Sequence, residues 1–322
     1  MTGFALALDV GGSTLAAAIV GAGGEVLASE EVATPVSADA TRIAAAVTGL
    51  AARLAAAVPT GELAGVGIGS AGPLDPVAGT VSPVNIPAWR DFPLVAEVRA
   101  VTGGVPVLLA GDGICMAFGE HWRGGHGGRN LLGMVVSTGV GGGLVIDGAA
   151  YPGPTGNAGH IGHIVVRLDG PDCPCGGRGC VEALASGPAM VGWALANGWR
   201  PDSTPNRAPD GRLLAKAARG GDPVARQAFE RGGRAIAAAV VSAAALVDLD
   251  VAVIGGGVAA AGDVLFDPLR AAMADYAVMP FIRRIRVTSS PLGRFAGLLG
   301  AAALVFGGTA AHARPDPAAL PA

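Results

Sequence analysis

Residues 159–180 read GHIGHIVVRLDGPDCPCGGRGC, and three of the chain's four cysteines fall there within eight positions, downstream of two histidines. His163, Cys173, Cys175 and Cys180 give the pattern H-x9-C-x-C-x4-C. Three thiolates and one imidazole are a donor set that tetrahedral structural zinc favours. Glycines 176, 177 and 179 let the backbone fold back so that the thiolates converge. Pro171 and Pro174 stiffen the loop. A disulfide between Cys173 and Cys175 is disfavoured by so short a loop, which leaves zinc as the expected occupant. A closed zinc site is structural, so the reactive chemistry has to come from other residues. The fourth thiol, Cys115, lies far from the cluster among apolar neighbours and reads as a small core residue.

Three glycine runs supply a second kind of chemistry. GGST (11–14) joins the strands expected at 4–10 and 15–20. TGVGGG (138–143) reads as a turn between strands at 130–137 and 144–151. GGG (255–257) lies in VAVIGGGV (251–258), a strand feeding a helix. The first two lie about 130 residues apart with the same strand–glycine–strand grammar. Neither opens a helix, so neither is a Walker A loop or a dinucleotide fingerprint. Backbone N–H groups in such turns form anion-binding concavities, and two of them facing each other would clamp a polyphosphate.

The elements that must position these groups alternate between strand and helix. After a third strand at 25–32 come an Ala-rich amphipathic helix at 39–58 and a strand at 64–70. A helix at 93–103 and a strand at 105–112 follow, the latter ending on Asp112 and leading into a helix at 113–124. Beyond the cysteine loop, 183–247 is rich in helix; a strand at 285–290 and a helix at 298–307 complete the pattern. The tail from 313 to 322 is Pro-rich and expected to be disordered. The reading is an α/β protein with one large domain or two medium ones.

Composition limits the partners. The chain has 322 residues, 51% of them apolar, and a net charge of −3. No basic block exceeds two residues, which argues against nucleic acid. The most apolar stretch, 235–247, has 13 residues, whereas a membrane span needs about 20. It is expected to be a core helix, with no membrane contact. MTGFALALDVGG lacks a basic start and a cleavage site, so a cytoplasmic protein is expected.

Taken together, these segments resemble the ROK family of sugar kinases and sugar-responsive repressors, from residue 4 to about 307. DVGGST (9–14) is similar to the family's D-x-G-G-T-K. NIPAW (85–89) with FPL (92–94) resembles its N-L-x-G-W…P-L stretch. GDGICMAFGE (111–120) resembles N-D-A-N-x-A-A-x-G-E. AGHIGH (158–163) with CPCGGRGCVE (173–182) resembles A-G-E-x-G-H…C-x-C-G-x-x-G-C-x-E, the most specific of the four. The chain departs from these patterns at Gly111, His160 and Thr14, where the family has Asn, Glu and a basic residue.

The resemblance implies a duplicated, ribonuclease-H-like α/β fold of the actin/hexokinase kind, with two domains flanking a cleft. Residues 1–118 plus 297–312 would form the smaller domain and 119–296 the larger. It implies ATP-dependent transfer of phosphate to the 6-hydroxyl of a hexose, glucose or a close relative, with Mg²⁺. Asp112 would be the general base, although an acid there also suits a helix N-cap. Asp9 would hold Mg²⁺, although it also suits an Asx turn. Gly11, Gly12, Ser13, Thr14, Thr138 and Gly139 would meet the phosphates; Gly256 and Gly257 would lie near the adenosine. Asn85, Asp112, His160, His163 and Glu182 would contact the sugar, His163 also binding zinc through its other nitrogen. The family's repressors carry an N-terminal helix-turn-helix region; with the first strand starting at Phe4, a kinase is expected. A homo-oligomer, dimer or tetramer, is expected by resemblance alone. Two other readings stay open: a kinase for an amino- or acetamido-hexose (kanosamine, glucosamine or N-acetylmannosamine), and a catalytically weak sugar-binding regulator.

Overall fold

The computed structural model describes residues 3–201 and 208–307, so the expected tail lies outside the described residues. The first half opens with β1 (Phe4–Val10), β2 (Thr14–Gly21) and β3 (Val26–Ala33), an antiparallel meander. Next come α1 (Ala40–Ala56), β4 (Leu63–Ser70), the two-residue pair β5 (Leu74–Asp75) and β6 (Thr80–Val81), α2 (Leu94–Val101), β7 (Val107–Gly111) and α3 (Asp112–Arg123). β4 lies parallel to β1 and to β7, so the sheet order is β3-β2-β1-β4-β7.

The second half repeats that plan. β8 (Leu131–Val136), β9 (Val140–Ile146) and β10 (Ala149–Tyr151) form the antiparallel part. Helices α4 (Glu182–Ala185), α5 (Gly187–Ala196), α6 (Gly211–Arg219) and α7 (Pro223–Val247) follow, then β11 (Val251–Gly255). The half ends with α8 (Asp263–Tyr276), α9 (Pro280–Arg283), β12 (Arg286–Ser289) and α10 (Ala296–Val305). The sheet order β10-β9-β8-β11-β12 matches the first sheet strand for strand, with the same two antiparallel and two parallel pairings.

Two details depart from the sequence reading. Gly141, Gly142 and Gly143 are not turn residues; they lie within β9, and the turn is confined to Ser137–Gly139. The segment 144–151 is not one strand, because Asp147 and Gly148 take positive φ of 52° and 79° and form a two-residue hairpin turn. Asp-Gly between apolar runs is the sequence signal for that turn, since both positions need left-handed backbone.

The central strands are apolar because both faces are covered, whereas the edge strands β3 and β12 are largely exposed. Leu6, Leu8 and Ile68 are fully buried against α1 residues such as Val47 and Leu50. Each such side chain contributes about 1.5–3 kcal/mol by leaving water. The Ala-rich stretch 235–247 forms the C-terminal part of α7, with Ile236, Val240 and Ala244 buried in the second half's core. Among the described residues no helix is long and apolar enough to cross a membrane.

The last helix of each half joins the halves. α3 follows β7 yet lies against β8 and β9, and α10 follows β12 yet lies against β1 and β4. The two helices also pack on each other, with Gly300 so close to α3 that a Cβ would stand 1.6 Å from the Cys115 carbonyl oxygen. Gly113 through Glu120 are all buried, as expected of a helix enclosed on every side. The buried Glu120 carboxylate is satisfied by His126 Nε2 at 2.8 Å and by the Ser290 hydroxyl. Position 118, the expected limit between domains, falls inside α3.

Candidate active site

Asp112 is the first residue of α3, immediately after β7. Its Oδ1 accepts the Gly113 N–H at 2.7 Å. The carboxylate lines a cavity with Gly111, Gly113, Gly141, Gly142 and His160. The cavity wall therefore comes from the β7–α3 junction of one half and β9 of the other. The close approach depends on glycine: a Cβ at Gly143 would stand 2.4 Å from the Gly113 carbonyl oxygen. The Asp112 side chain is open to solvent, yet the protein packed around it desolvates the carboxylate and raises its pKa above the ordinary value, opposed by the Gly113 N–H and the nearby His160.

Asp9 sits near the end of β1 beside the first glycine turn. Burial, then the charges of Asp112 and Glu31, push its pKa from 3.8 up to about 7. Two carboxyls, Asp9 half-buried and Asp112 open to solvent, with the charge of Asp112 felt at Asp9, are a pair that a divalent cation would neutralise. The first turn is held by Gly11 N–H to the Thr14 carbonyl at 3.0 Å and by Thr34 Oγ1 donating to the Gly11 carbonyl at 2.7 Å. Asn85 lies against this turn: a Cβ on Gly12 would be 2.6 Å from its Cγ. The Asn85 loop is anchored by Trp89, which is fully buried, stacks on Phe92 with centroids 4.3 Å apart, and donates to the Ala40 carbonyl.

The second turn occupies the matching place between β8 and β9. Ser137 N–H donates to the Gly139 carbonyl at 2.8 Å, with Thr138 exposed at its tip. Gly256, at φ 93°, lies so close that a Cβ would stand 2.5 Å from the Val136 carbonyl oxygen; Gly257 faces Ser137. The second and third glycine runs therefore share one corner. Glu182 approaches the turn from the other side, its Oε2 accepting the Val140 N–H at 2.8 Å.

His160 Nδ1 lies 2.8 Å from the Asn157 carbonyl oxygen. A carbonyl only accepts, so Nδ1 carries the proton and Nε2 is the free nitrogen of the neutral ring. Asn157 was not singled out from the sequence. Its side chain accepts from Leu74 N–H at 3.3 Å and donates to the Leu74 carbonyl at 3.1 Å, fastening the second half to β5 of the first beside the cavity. A lone Asn in a Gly-rich loop carries no local signal for such a distant bond.

The cysteine loop converges as its spacing implied. The donor atoms of His163, Cys173, Cys175 and Cys180 all lie within 4.8 Å of one another. Cys175 Sγ to Cys180 Sγ is 3.8 Å, and His163 Nδ1 to Cys173 Sγ is 3.8 Å. A disulfide is far shorter, at about 2.05 Å. Donors about 3.8 Å apart are what ~2.3 Å bonds in a tetrahedron require, so the set fits zinc. The His163 ring stands beside the His160 ring, with centroids 6.3 Å apart, which links the metal loop to the cavity wall.

A family model described as the ROK family matches residues 5–307. The chain belongs to the ROK family. Among ROK relatives, a glucokinase of Thermotoga maritima is 38% identical over 252 residues, 74% of this chain and 78% of that protein. An N-acetylmannosamine kinase of Yersinia pseudotuberculosis is 34% identical over 300 residues, 93% of this chain and 97% of its own. The structure of a ROK family glucokinase from Streptomyces griseus in complex with glucose and AMPPNP superposes with a TM-score of 0.79, at 33% identity, covering 94% of this chain and 99% of that one. The duplicated sheets are thus the actin/hexokinase-like fold of ROK glucokinases.

Proposed function

We propose that this protein is an ATP-dependent hexose kinase that phosphorylates the 6-hydroxyl of glucose or a close relative. The observation that carries the reading is Asp112, open to solvent at a cavity walled by both halves and lined by glycines of the β7–α3 junction and of β9. The Streptomyces griseus relative, solved with glucose and AMPPNP, supports it.

In this mechanism Asp112 accepts the proton of the sugar hydroxyl as that oxygen attacks the γ-phosphorus and ADP departs. Desolvation by the surrounding protein supports this role, because a raised pKa brings the carboxylate closer to the basicity that proton transfer needs. Asp9 would hold Mg²⁺, which would supply charge neutralisation for the phosphates. The backbone N–H groups of Gly11–Thr14 and of Thr138–Gly139 orient the phosphates, and Gly256 and Gly257 border the nucleotide base and ribose. Asn85, His160, His163 and Glu182 would face sugar hydroxyls. His163, Cys173, Cys175 and Cys180 would hold zinc, which would brace the loop that carries His163.

A second reading shares the chemistry and takes an acetamido-hexose. It is favoured by the space beside Gly111, where a Cβ would meet only Ile114, at 3.7 Å, and by the Yersinia pseudotuberculosis relative. Turnover across glucose, mannose, glucosamine, kanosamine and N-acetylmannosamine with ATP and Mg²⁺ separates the two. Inactivity on every sugar overturns both and leaves the sugar-binding regulator.

A further inference from the structure

A cavity of about 340 Å³ opens in the second half and shares no lining residue with the cavity at Asp112. One face of α7 forms its floor. Leu184 of α4, Trp193 of α5, Tyr276 at the end of α8, and the segment Val166–Arg167 that follows His163 complete the wall. Phosphoryl transfer at Asp112 makes no use of these residues. The volume lies at the lower end of cavities that hold small ligands.

Three guanidinium groups line this cavity. Arg231 and Arg234 stand three apart on α7 and so share a helix face. Arg167 lies near enough that its charge, after desolvation as the larger cause, lowers the Arg231 pKa. Arg167 and Arg234 have acids beside them, Asp169 at 3.3 Å and Asp275 at 3.9 Å, in exposed pairs of little strength. Arg231 is half-buried and pairs with no carboxylate among the described residues. Like charges drawn together, one of them half-buried without a counter-ion, favour an anion that carries more than one charge. A phosphate monoester has about 1.5 to 2 negative charges at neutral pH.

The remaining side chains select among anions. The Arg231 guanidinium stands 5.7 Å from the Trp193 ring centroid, and that of Arg234 stands 5.3 Å from the Tyr276 centroid. A guanidinium stacked on a ring is a fork held in place, which suits two-point bonding to phosphate. Leu184 and the two rings offer apolar surface to carbon. Gln227 and Glu230, both exposed, offer an amide and a carboxylate to hydroxyl groups. The Glu230 charge also weighs against a polyphosphate.

We propose that this cavity is a second ligand site, for a phosphate monoester of a small polyhydroxylated molecule the size of a hexose phosphate. Arg167, Arg231 and Arg234 take the phosphate, and Gln227 and Glu230 take hydroxyls. Binding here is independent of whether Asp112 acts as a base.

The test is calorimetric titration of glucose 6-phosphate and, separately, of inorganic phosphate into the native protein, Arg231→Gln and Arg167→Gln. Saturating glucose is present throughout, so that a sugar site at Asp112 does not contribute. The native protein is expected to bind the ester more tightly than inorganic phosphate. The ester Kd should rise about tenfold or more in Arg231→Gln and severalfold in Arg167→Gln. Arg167 is exposed, so Arg167→Gln keeps the test available if Arg231→Gln does not fold. No binding of the ester to the native protein overturns the proposal, as does an ester Kd that neither variant changes. Inorganic phosphate bound as tightly as the ester overturns it too. A changed oligomeric state of the variants in sedimentation, with ester affinity unaltered, also overturns it and assigns the three cations to a contact between copies.

Discussion

Gly113 and Gly142 meet backbone to backbone: a Cβ on Gly113 would lie 2.2 Å from the Gly142 carbonyl oxygen. One glycine opens α3 beside Asp112, and the other lies in β9 of the opposite sheet. This contact, with the crossing of α3 and α10, brings the carboxylate of one half against the glycine-rich strand of the other.

A methyl group at that contact has nowhere to go, because its neighbour is backbone. Gly113→Ala is expected to destabilise the protein by about 3 kcal/mol, the upper end of ordinary overpacking. Urea denaturation of the variant against the native protein measures this. A loss below about 0.5 kcal/mol would show that the halves separate freely here.

Metal content is the next expectation. The purified protein should carry one zinc per chain by elemental analysis. Cys180→Ser, which removes a buried ligand, should lose the zinc and lower Tm by about 3 °C or more, the shift that ~2 kcal/mol produces in a chain of this size. Zinc-free protein with native stability would contradict a structural site.

The carboxyl pair predicts a pH effect of definite sign. Asp9 has a pKa of about 7 in the folded protein, above the ordinary 3.8. Between roughly pH 4 and 7 the folded state holds a proton that the unfolded chain has released. The stability this group contributes is therefore complete below about pH 4 and lost as pH rises through about 7. Asp9→Asn stays neutral and escapes the loss. Without divalent metal, the stability advantage of Asp9→Asn over the native protein in urea denaturation should widen from pH 4 to 8, on the order of a few kcal/mol in all. A constant difference would mean that Asp9 titrates normally.

Much of the fold was legible because strand and helix periods were strong. The β1–β2–β3 meander and the strand-to-helix step at Asp112 follow from apolar runs punctuated by glycine. The metal cluster was legible because four ligands sit within one short segment. Gly141–Gly143 were misread as a turn because glycine has two physical uses. It supplies left-handed backbone, and it allows close packing, which is the use made of it in β9. Asp147–Gly148 was overlooked beside them, although Asp-Gly carries a turn signal of its own. The partners of Asn157 and Glu182 could not be read locally, since each bonds a backbone group far away in sequence, at Leu74 and Val140.

The most direct measurement of the central claim is single-turnover phosphorylation of the preferred hexose by Asp112→Asn with ATP and Mg²⁺. Asparagine keeps the oxygen that accepts the Gly113 N–H and removes only the basic charge. The rate of the chemical step should fall by about 10²-fold or more while hexose affinity stays within a few-fold of native. A rate within a few-fold of native would show that Asp112 is not the base.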